Sequence, residues 1–218
     1  MKEVTKMELT ADLIIPDKTA LIIVDVQNDY CHEEGALASG GNDVSAVREM
    51  MPQLHGLITA ARTQGVPIIY IQTYHEKATD SQVWTSRSGR GSLGVCRRGS
   101  WGAEFYEVSP LPEEIIVNKH RYSAFINTRL DSVLRSLRIE TLIMTGVSTN
   151  VCVESTARDG FMLDYQIVMV QDACASYSRA AHDMTLENMK GYFGVVASAA
   201  EIEAGWKIWN QPVLQQLS

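Results

Sequence analysis

Short apolar runs alternate along this 218-residue chain with segments in which apolar residues recur at helical spacing. This alternation is typical of βαβ units, in which parallel strands are buried on both faces by the helices that connect them. The sequence therefore predicts an α/β fold with three layers, α/β/α, around a Rossmann-like, six-stranded parallel sheet. The expected strands span residues 20–25, 67–73, 115–119, 141–146, 166–171 and 194–197.

Helical segments are expected between these strands. They lie near residues 48–64, 128–137, 151–163, 179–191 and from 199 onward. Asn127, Ser178 and Ser198 stand just before helical segments and are residue types that cap helix N-termini. Pro52 predicts a helix start, since proline is tolerated in the first turn and disruptive further in.

Length and composition bound the class of protein. A hydrophobic fraction of 45% is enough for one substantial core, so we expect a single domain over residues 1–218, with residues 1–18 as an N-terminal extension. The net charge of −7 offers no attraction for nucleic acid or an anionic membrane, and no apolar run approaches the ~18 residues of a membrane span. Because the N-terminus does not resemble a secretory signal, we expect a cytoplasmic protein with a small-molecule partner.

Residues 77–104 form a long segment without clear periodicity. Arginines and tryptophans are interleaved in it with glycines: Arg87, Arg90, Arg97, Arg98, Trp84 and Trp101. Unstructured loops of this length in compact domains are typically functional lids or disordered segments. Two interpretations stay open, a solvated surface loop or a lid whose arginines bind a small polar or anionic substrate.

Three reactive side chains stand at, or just after, the carboxyl ends of expected strands. Asp25 closes LIIVD, Lys119 closes IIVNK, and Cys152 follows the fourth strand through a Gly-Val-Ser-Thr-Asn turn, where a helix is expected to begin. Ligands bind at this edge of open parallel sheets. A cysteine in the first turn of a helix can also have a lowered pKa, which favours the nucleophilic thiolate.

Each of these residues also has a purely structural interpretation. Free cysteine is often a small buried hydrophobe, an aspartate can cap a loop, and a lysine can be a solvated strand end. Their coincidence at one edge of the sheet favours a site with a nucleophile, a base and a cation. The four cysteines are widely spaced, without a CxxC pair, so reduced thiols are expected rather than disulfides or structural zinc.

A resemblance that spans about residues 19–200 is carried by TALIIVDVQNDY, IIVNKHRYSAFINTRLDSVLRSLRI and TLIMTGVSTNVCVESTARDGF. Together these stretches resemble the isochorismatase-like cysteine hydrolase superfamily, and within it the ureidoacrylate amidohydrolases and their biuret- and triuret-hydrolysing relatives. The resemblance implies a homo-oligomer, dimer or tetramer, and a catalytic triad of Asp25, Lys119 and Cys152. It also implies a cis peptide between Val147 and Ser148, with the backbone N–H groups of Ser148 and Cys152 forming an oxyanion hole.

Departures from the wider superfamily narrow the expected chemistry. Isochorismatases proper cleave a vinyl ether and lack the nucleophilic cysteine, so Cys152 favours amide chemistry. Nicotinamidases carry an Asp-x-His metal motif after the second strand, whereas this chain reads QTYHEKATD there, and His75 alone cannot assemble a metal site. We therefore expect neither a metal ion nor an external cofactor.

The resemblance implies an amidohydrolase that cleaves a terminal amide or ureido C–N bond of a small ureido compound, with ammonia release through a thioester. Ureidoacrylate, biuret and triuret are alternative substrates, and an N-carbamoyl amino acid or nicotinamide is a further one. The expected substrate pocket includes Gln27, Asn28, Tyr122, Phe125, Trp101, Arg87 and Arg90. Two functions of other classes stay open, a non-catalytic α/β interaction module and a thiol redox sensor with Cys174 as resolving thiol.

Overall fold

A computed structural model describes residues 8–86 and 94–209 of the chain. Six strands form one sheet: β1 (Thr19–Val24), β2 (Ile68–Thr73), β3 (Ile115–Lys119), β4 (Thr141–Val147), β5 (Gln166–Ala175) and β6 (Val195–Ala197). The pairs are parallel and the strand order is β3-β2-β1-β4-β5-β6. The six predicted strands and their parallel arrangement are confirmed, although β5 runs past its expected end at residue 171.

Helices cover both faces of this sheet. Those in the described residues are α1 (Asn28–Cys31), α2 (Ala36–Ser39), α3 (Ser45–Gln64), α4 (Gln82–Ser86), α5 (Leu130–Ser136), α6 (Glu154–Met162), α7 (Arg179–Tyr192) and α8 (Ala199–Trp209). Helices α3 and α8 share a core with Leu21 and Ile23 of β1, whereas α5, α6 and α7 share the opposite core with Ile22 and Val24. This alternation along one strand gives the predicted three layers. None of the helices described is long and apolar enough to cross a membrane.

Helix ends follow the predicted capping residues only in part. Ser178 accepts a hydrogen bond from the backbone of α7, and Ser198 does the same for α8, as expected. Asn127 is not a cap, because α5 begins later and Thr128 accepts the bond from its first N–H instead. Pro52 lies inside α3 rather than at its start, on an exposed face where water can bond the carbonyl that proline leaves without a donor.

The N-terminal segment that precedes β1 packs against the last helix. Ile14 is fully buried in the core that includes Ile202 and Trp206 of α8. The indole Nε1 of Trp209 donates to the Ala11 carbonyl at 3.0 Å. Residues 11–14 therefore contribute to the core rather than only extending from it.

The segment at 77–104 is partly structured. It contains a short 3-10 turn at Lys77–Thr79, then α4, and a second 3-10 turn at Trp101–Ala103. Asp29, buried after β1, accepts from the Cys96 N–H at 2.6 Å and so fastens the later part of the segment to the body of the protein. Residues 87–93 lie outside the described ranges.

Candidate active site

The three reactive side chains meet at the carboxyl edge of the sheet. Asp25 follows β1, Lys119 is the last residue of β3, and Cys152 lies between β4 and α6. All three line one cavity of about 610 Å³. The cavity lies where the strand order reverses between β1 and β4, which is where open parallel sheets bind ligands.

Asp25 and Lys119 form a fully buried ion pair. The distance from Lys119 Nζ to Asp25 Oδ2 is 2.7 Å, and each side chain is 1% exposed. Lys119 Nζ also donates to the Arg121 carbonyl at 3.0 Å. The backbone of Asp25 itself is left-handed, with φ +53°, an uncommon conformation for a residue with a side chain and one that clusters at functional sites.

Thr73 completes this ion pair, and sequence reasoning missed it. Its hydroxyl donates to Asp25 Oδ1 at 2.8 Å and accepts from Lys119 Nζ at 2.8 Å. Thr73 is the last residue of β2 and stands opposite Lys119 in the register of β2 and β3. The signal that could have found it is a hydroxyl residue at the end of the strand between the two charged strand ends.

The thiol of Cys152 interacts with both members of the pair. Its pKa is raised to about 12: burial is the largest cause, the Lys119 ammonium opposes it, and the Asp25 carboxylate adds to it. The thiol therefore keeps its proton near neutral pH in the resting site. The expectation of a lowered pKa is wrong, because the thiol is buried and because it lies in a π turn, Thr149–Val153, ahead of α6 rather than in its first turn.

Lys119 keeps its charge despite its burial. Burial by itself lowers the pKa of a lysine, but the Asp25 carboxylate and the Cys152 thiol together outweigh it, and the pKa of Lys119 is raised. The cavity therefore holds a permanent ammonium beside the sulfur. Such a cation stabilises a thiolate when one forms.

The turn after β4 lines the same cavity. A cis peptide joins Val147 to Ser148, as the resemblance implies. Asn150 holds the turn together, since its Oδ1 accepts from the hydroxyls of Ser148 and Ser176, each at 2.7 Å. Ser148 and Cys152 both line the cavity, and the oxyanion role of their backbone N–H groups stays a prediction.

Gln27 and Asn28 do not line the cavity, contrary to expectation. The Gln27 amide is fully buried: it donates to the carbonyls of Thr73 and Ala103 at 2.9 and 2.8 Å and accepts from the Thr73 N–H at 2.7 Å. Asn28 donates to the Trp101 carbonyl at 2.8 Å. Both amides are bonded to the backbone, so they fasten the strand ends to the 3-10 turn instead of facing a substrate.

Phe125 and Trp101 also lie outside the cavity lining, whereas Tyr122 belongs to it. Phe125 stacks on Tyr165 with 5.9 Å between ring centroids, as part of the core beneath α6. Trp101 is 46% exposed, and its ring stands nearly perpendicular to that of His32, with 5.1 Å between the ring centroids. The expectation that these two rings line the substrate pocket is wrong, because one is held in the core and the other on the outer surface.

The arginines of the 77–104 segment that the structure describes are engaged outside the cavity. Arg97 donates to both carboxylate oxygens of Asp80, at 3.1 and 2.9 Å. Arg98 pairs with Glu76 at 3.2 Å on the surface. Arg87 and Arg90 lie outside the described residues, and their contact with substrate stays a prediction.

Tyr122 was expected in the pocket, whereas the other members of an aromatic wall around it were not. The centroid of the Trp84 ring, from α4, lies 5.3 Å from that of His75 and 5.0 Å from that of Tyr122. The guanidinium carbon of Arg121 lies 4.9 Å from the same Trp84 centroid. All four residues line the cavity, as do Tyr30, Tyr177 and Val95. The closeness of Arg121 to Lys119 in the sequence is the signal that could have placed Arg121 there.

His75 belongs to this wall. It is buried, and its ring packs on Trp84. Within residues 8–86 and 94–209, no group of three histidine, cysteine, aspartate or glutamate side chains is arranged to hold a metal ion.

Comparison with known proteins points to one family. The profile of the isochorismatase domain matches residues 19–201. A ureidoacrylate amidohydrolase from Acinetobacter baylyi is 35% identical over 215 residues, covering 89% of this chain and 86% of the relative. One from Pantoea ananatis is 37% identical over 201 residues, covering 85% and 80%.

The solved structures include a similar enzyme. The cysteine hydrolase from Pseudomonas syringae pv. phaseolicola superimposes with a TM-score of 0.78 at 30% identity, covering 88% of this chain and 94% of that chain. The profile match, the relatives and the shared fold agree over most of the sequence. The chain therefore belongs to the isochorismatase family of hydrolases.

Proposed function

We propose that this protein is a cysteine-dependent amidohydrolase that cleaves a terminal amide or ureido C–N bond of a small ureido compound. The observation that carries the proposal is the meeting of a thiol, a carboxylate and an ammonium in one cavity, with 2.7 Å between Lys119 Nζ and Asp25 Oδ2. Cys152 interacts with both charges. In this arrangement the thiol is the nucleophile, the carboxylate is the base and the ammonium stabilises the anion.

The first half of the reaction begins with a protonated thiol, since the pKa of Cys152 is raised. Asp25 accepts the thiol proton as the sulfur attacks the substrate carbonyl carbon, and Lys119 stabilises the thiolate character that develops. A tetrahedral oxyanion forms, to which the backbone N–H groups of Ser148 and Cys152 donate, each such donor contributing roughly 2.7–4 kcal/mol. Asp25 then gives the proton to the departing nitrogen, the C–N bond breaks, and ammonia leaves the tetrahedral intermediate. The substrate carbonyl carbon remains on Cys152 as a thioester.

Water completes the cycle. Asp25, again a carboxylate, takes a proton from a water molecule that attacks the thioester carbon. The second tetrahedral intermediate collapses, the C–S bond breaks and the thiol regains its proton from Asp25. The substrate acyl group leaves as an acid, and the chain's own residues perform every proton transfer.

The relatives favour one substrate among several. Two of them are named ureidoacrylate amidohydrolases, so we propose ureidoacrylate or a similar small ureido compound first. Biuret, triuret, N-carbamoyl amino acids and nicotinamide are the alternatives. A homo-oligomer, dimer or tetramer, and a cytoplasmic location remain predictions alongside it.

The proposal is tested by measuring ammonia release from a panel of these compounds. The wild-type protein should turn over at least one ureido compound, and Cys152→Ala should be inactive on it. Asp25→Asn and Lys119→Ala should each lower kcat by orders of magnitude, and combining either with Cys152→Ala should cost little more, because the three act as a unit. Absence of turnover on the whole panel would support a non-catalytic module instead.

Alkylation tests the nucleophile independently of any substrate. Iodoacetamide should label Cys152 faster than the other three thiols near neutral pH, because Cys152 lines the cavity that holds the ion pair and the Lys119 ammonium stabilises its thiolate. Burial raises the pKa of each of the others, Cys31, Cys96 and Cys174. Equal labelling of all four in a peptide map would contradict the assignment. A disulfide between Cys152 and Cys174 after mild peroxide would favour the redox-sensor alternative.

A further inference from the structure

Arg121 is joined to the buried ion pair through its backbone. It stands two residues after Lys119, and its carbonyl accepts a hydrogen bond from Lys119 Nζ at 3.0 Å. Its side chain lines the same cavity as Cys152. A ligand held by Arg121 would therefore be held at a fixed position relative to the thiol and its charged partners.

The guanidinium of Arg121 is held on one side only. Nη1 donates to the carbonyls of Thr79 and His120, at 3.2 and 2.7 Å. The group lies over the ring of Trp84, 4.9 Å from the ring centroid, where a cation is attracted to the aromatic face. The side chain is half-buried, and these contacts fix it before any ligand arrives.

Three of its five N–H donors have no acceptor among the described residues. The two protons of Nη1 are used by the two carbonyls, which leaves the protons on Nε and Nη2. Arg121 also forms no ion pair with any carboxylate in the described ranges, unlike Arg97 and Arg98. A fixed, half-buried guanidinium with such a set of donors matches the two oxygens of a carboxylate.

The other charges that line the cavity are already paired or exposed. Asp25 and Lys119 neutralise each other at 2.7 Å. Asp43 is exposed to solvent at the rim, and its Oδ1 accepts from the Ser45 N–H at 2.9 Å. Among the lining residues described, Arg121 is thus the cation that is left to meet an anionic ligand.

We propose that Arg121 binds the carboxylate of the substrate, so that the enzyme selects small ureido acids over neutral ureido compounds such as biuret. This proposal rests on the amidohydrolase function proposed above and adds the charge of the substrate to it. The ureido carbonyl would lie at Cys152 and the acid end against Trp84 and Arg121. The arginine that binds the substrate carboxylate is then Arg121, two residues after Lys119, and not one of the described arginines of the 77–104 segment.

Kinetics of Arg121→Gln on a charged and a neutral substrate test this inference. Glutamine keeps a planar, polar side chain and removes the charge. The variant should lower kcat/KM for ureidoacrylate by about 10- to 100-fold, mainly through a raised KM, and change biuret turnover by less than about 3-fold. Arg121→Lys should show a smaller loss on ureidoacrylate, since it keeps the charge and loses the fork. Arg98→Gln, the loss of an exposed arginine outside the cavity, is the matched control and should change neither.

The outcomes separate the two proposals. Equal losses on ureidoacrylate and biuret, or no loss on either, would overturn the role of Arg121 and leave the amidohydrolase function standing. If the wild-type protein hydrolyses no ureido compound, the proposed function fails and binding decides the role of Arg121. Calorimetry would then compare ureidoacrylate binding to Cys152→Ser and to Cys152→Ser/Arg121→Gln. Binding at least 10-fold weaker in the double variant supports the carboxylate site, and equal binding or none overturns it.

Discussion

A lysine with 1% of its side chain exposed has to find acceptors for its ammonium protons inside the protein. Lys119 Nζ donates hydrogen bonds to Thr73 Oγ1 and the Arg121 carbonyl, and it lies 2.7 Å from Asp25 Oδ2, its ion-pair partner. A buried ion pair is stabilising only when its geometry is good and its remaining donors and acceptors are bonded. Thr73 and the Arg121 carbonyl supply such bonds here, whereas Asp25 Oδ2 has its ion pair with Lys119 and no hydrogen bond from the described residues. These contacts hold the two charges in one arrangement beside the thiol.

Thr73 offers a test of this network at the scale of one hydroxyl. Thr73→Val keeps the shape and removes the atom that links Asp25 Oδ1 to Lys119 Nζ, each at 2.8 Å. An unbonded buried polar group costs about 1–3 kcal/mol, so kcat should fall by about 10- to 100-fold. Steady-state kinetics and the pH profile of kcat are the measurements.

Two further variants are its controls. Thr73→Ser should recover most of the activity, because serine returns the hydroxyl. Thr145→Val removes an equally buried hydroxyl, which donates to the Ile22 carbonyl at 2.8 Å outside the cavity lining. It should lower stability and leave kcat nearly unchanged. A full loss of activity in Thr73→Ser would show that the shape of the residue matters more than its hydroxyl.

At the scale of elements, the site depends on how β4 passes into α6. A five-residue π turn, Thr149–Val153, lies between them. Such turns are rare in proteins as a whole, and those that occur are often found at functional sites. His182 of α7 is hydrogen-bonded to this turn, with 2.9 Å between its Nδ1 and Thr149 Oγ1. The position of Cys152 thus depends on a second helix as well as on its own strand and helix.

Gly146 is the residue that lets β4 reach this turn. Its φ is +102°, and a Cβ at this position would lie 2.2 Å from the Val24 carbonyl oxygen of β1. Gly146→Ala should therefore destabilise the fold by about 3 kcal/mol or more, through both backbone conformation and overlap with a paired strand. Urea unfolding monitored by circular dichroism measures the change.

Gly191 provides the matched control. It lies within α7, and a Cβ there would meet no atom within 4 Å. Gly191→Ala should stabilise the protein by about 0.5–1 kcal/mol, because alanine loses less backbone freedom in a helix. Similar midpoints for the two variants would contradict the claim that Gly146 is required by its surroundings.

At the scale of the whole molecule, the site is made by the order of the strands. Asp25 and Cys152 follow β1 and β4, which are neighbours in the sheet although β2 and β3 come between them in the sequence. Lys119 reaches the same cavity from the end of β3 at the sheet edge, across Thr73 of β2. The hydrolase prediction is confirmed by relatives that match over most of the chain.

The stability of the whole molecule should depend on pH through His182. Burial lowers the pKa of His182 from its ordinary 6.5, the more so beside Arg179, while Asp183 opposes the shift. The unfolded chain therefore binds a proton below about pH 6.5 that the folded protein resists, so stability falls as pH decreases through this range. Thermal unfolding between pH 8 and pH 5.5 should show a smaller decline for His182→Gln than for the wild type.

His55→Gln is the control for this prediction. His55 is exposed, and its ring bonds the Glu107 carbonyl at 2.8 Å on the surface. Its variant should keep the pH dependence of the wild type. If stability declines with decreasing pH as steeply in His182→Gln as in the wild type, other titrating groups cause the decline.

The sequence alone determined the strands, their parallel arrangement, the three layers and the residues Asp25, Lys119 and Cys152 at the strand ends. These follow from local periodicity and from motifs, which do not need distant contacts to be recognised. The same motifs also indicated the family that the relatives confirm.

Only the tertiary structure decided what surrounds those three residues. Thr73 reaches the ion pair through the register of β2 and β3, and Trp84 and Arg121 meet from segments far apart in the chain. The sequence placed Gln27 at the substrate, but its amide bonds to backbone groups that fold next to it. Burial likewise raised the pKa of Cys152 where a helix start alone would lower it. Side-chain partners and desolvation depend on long-range packing, and local sequence patterns carry no information about either.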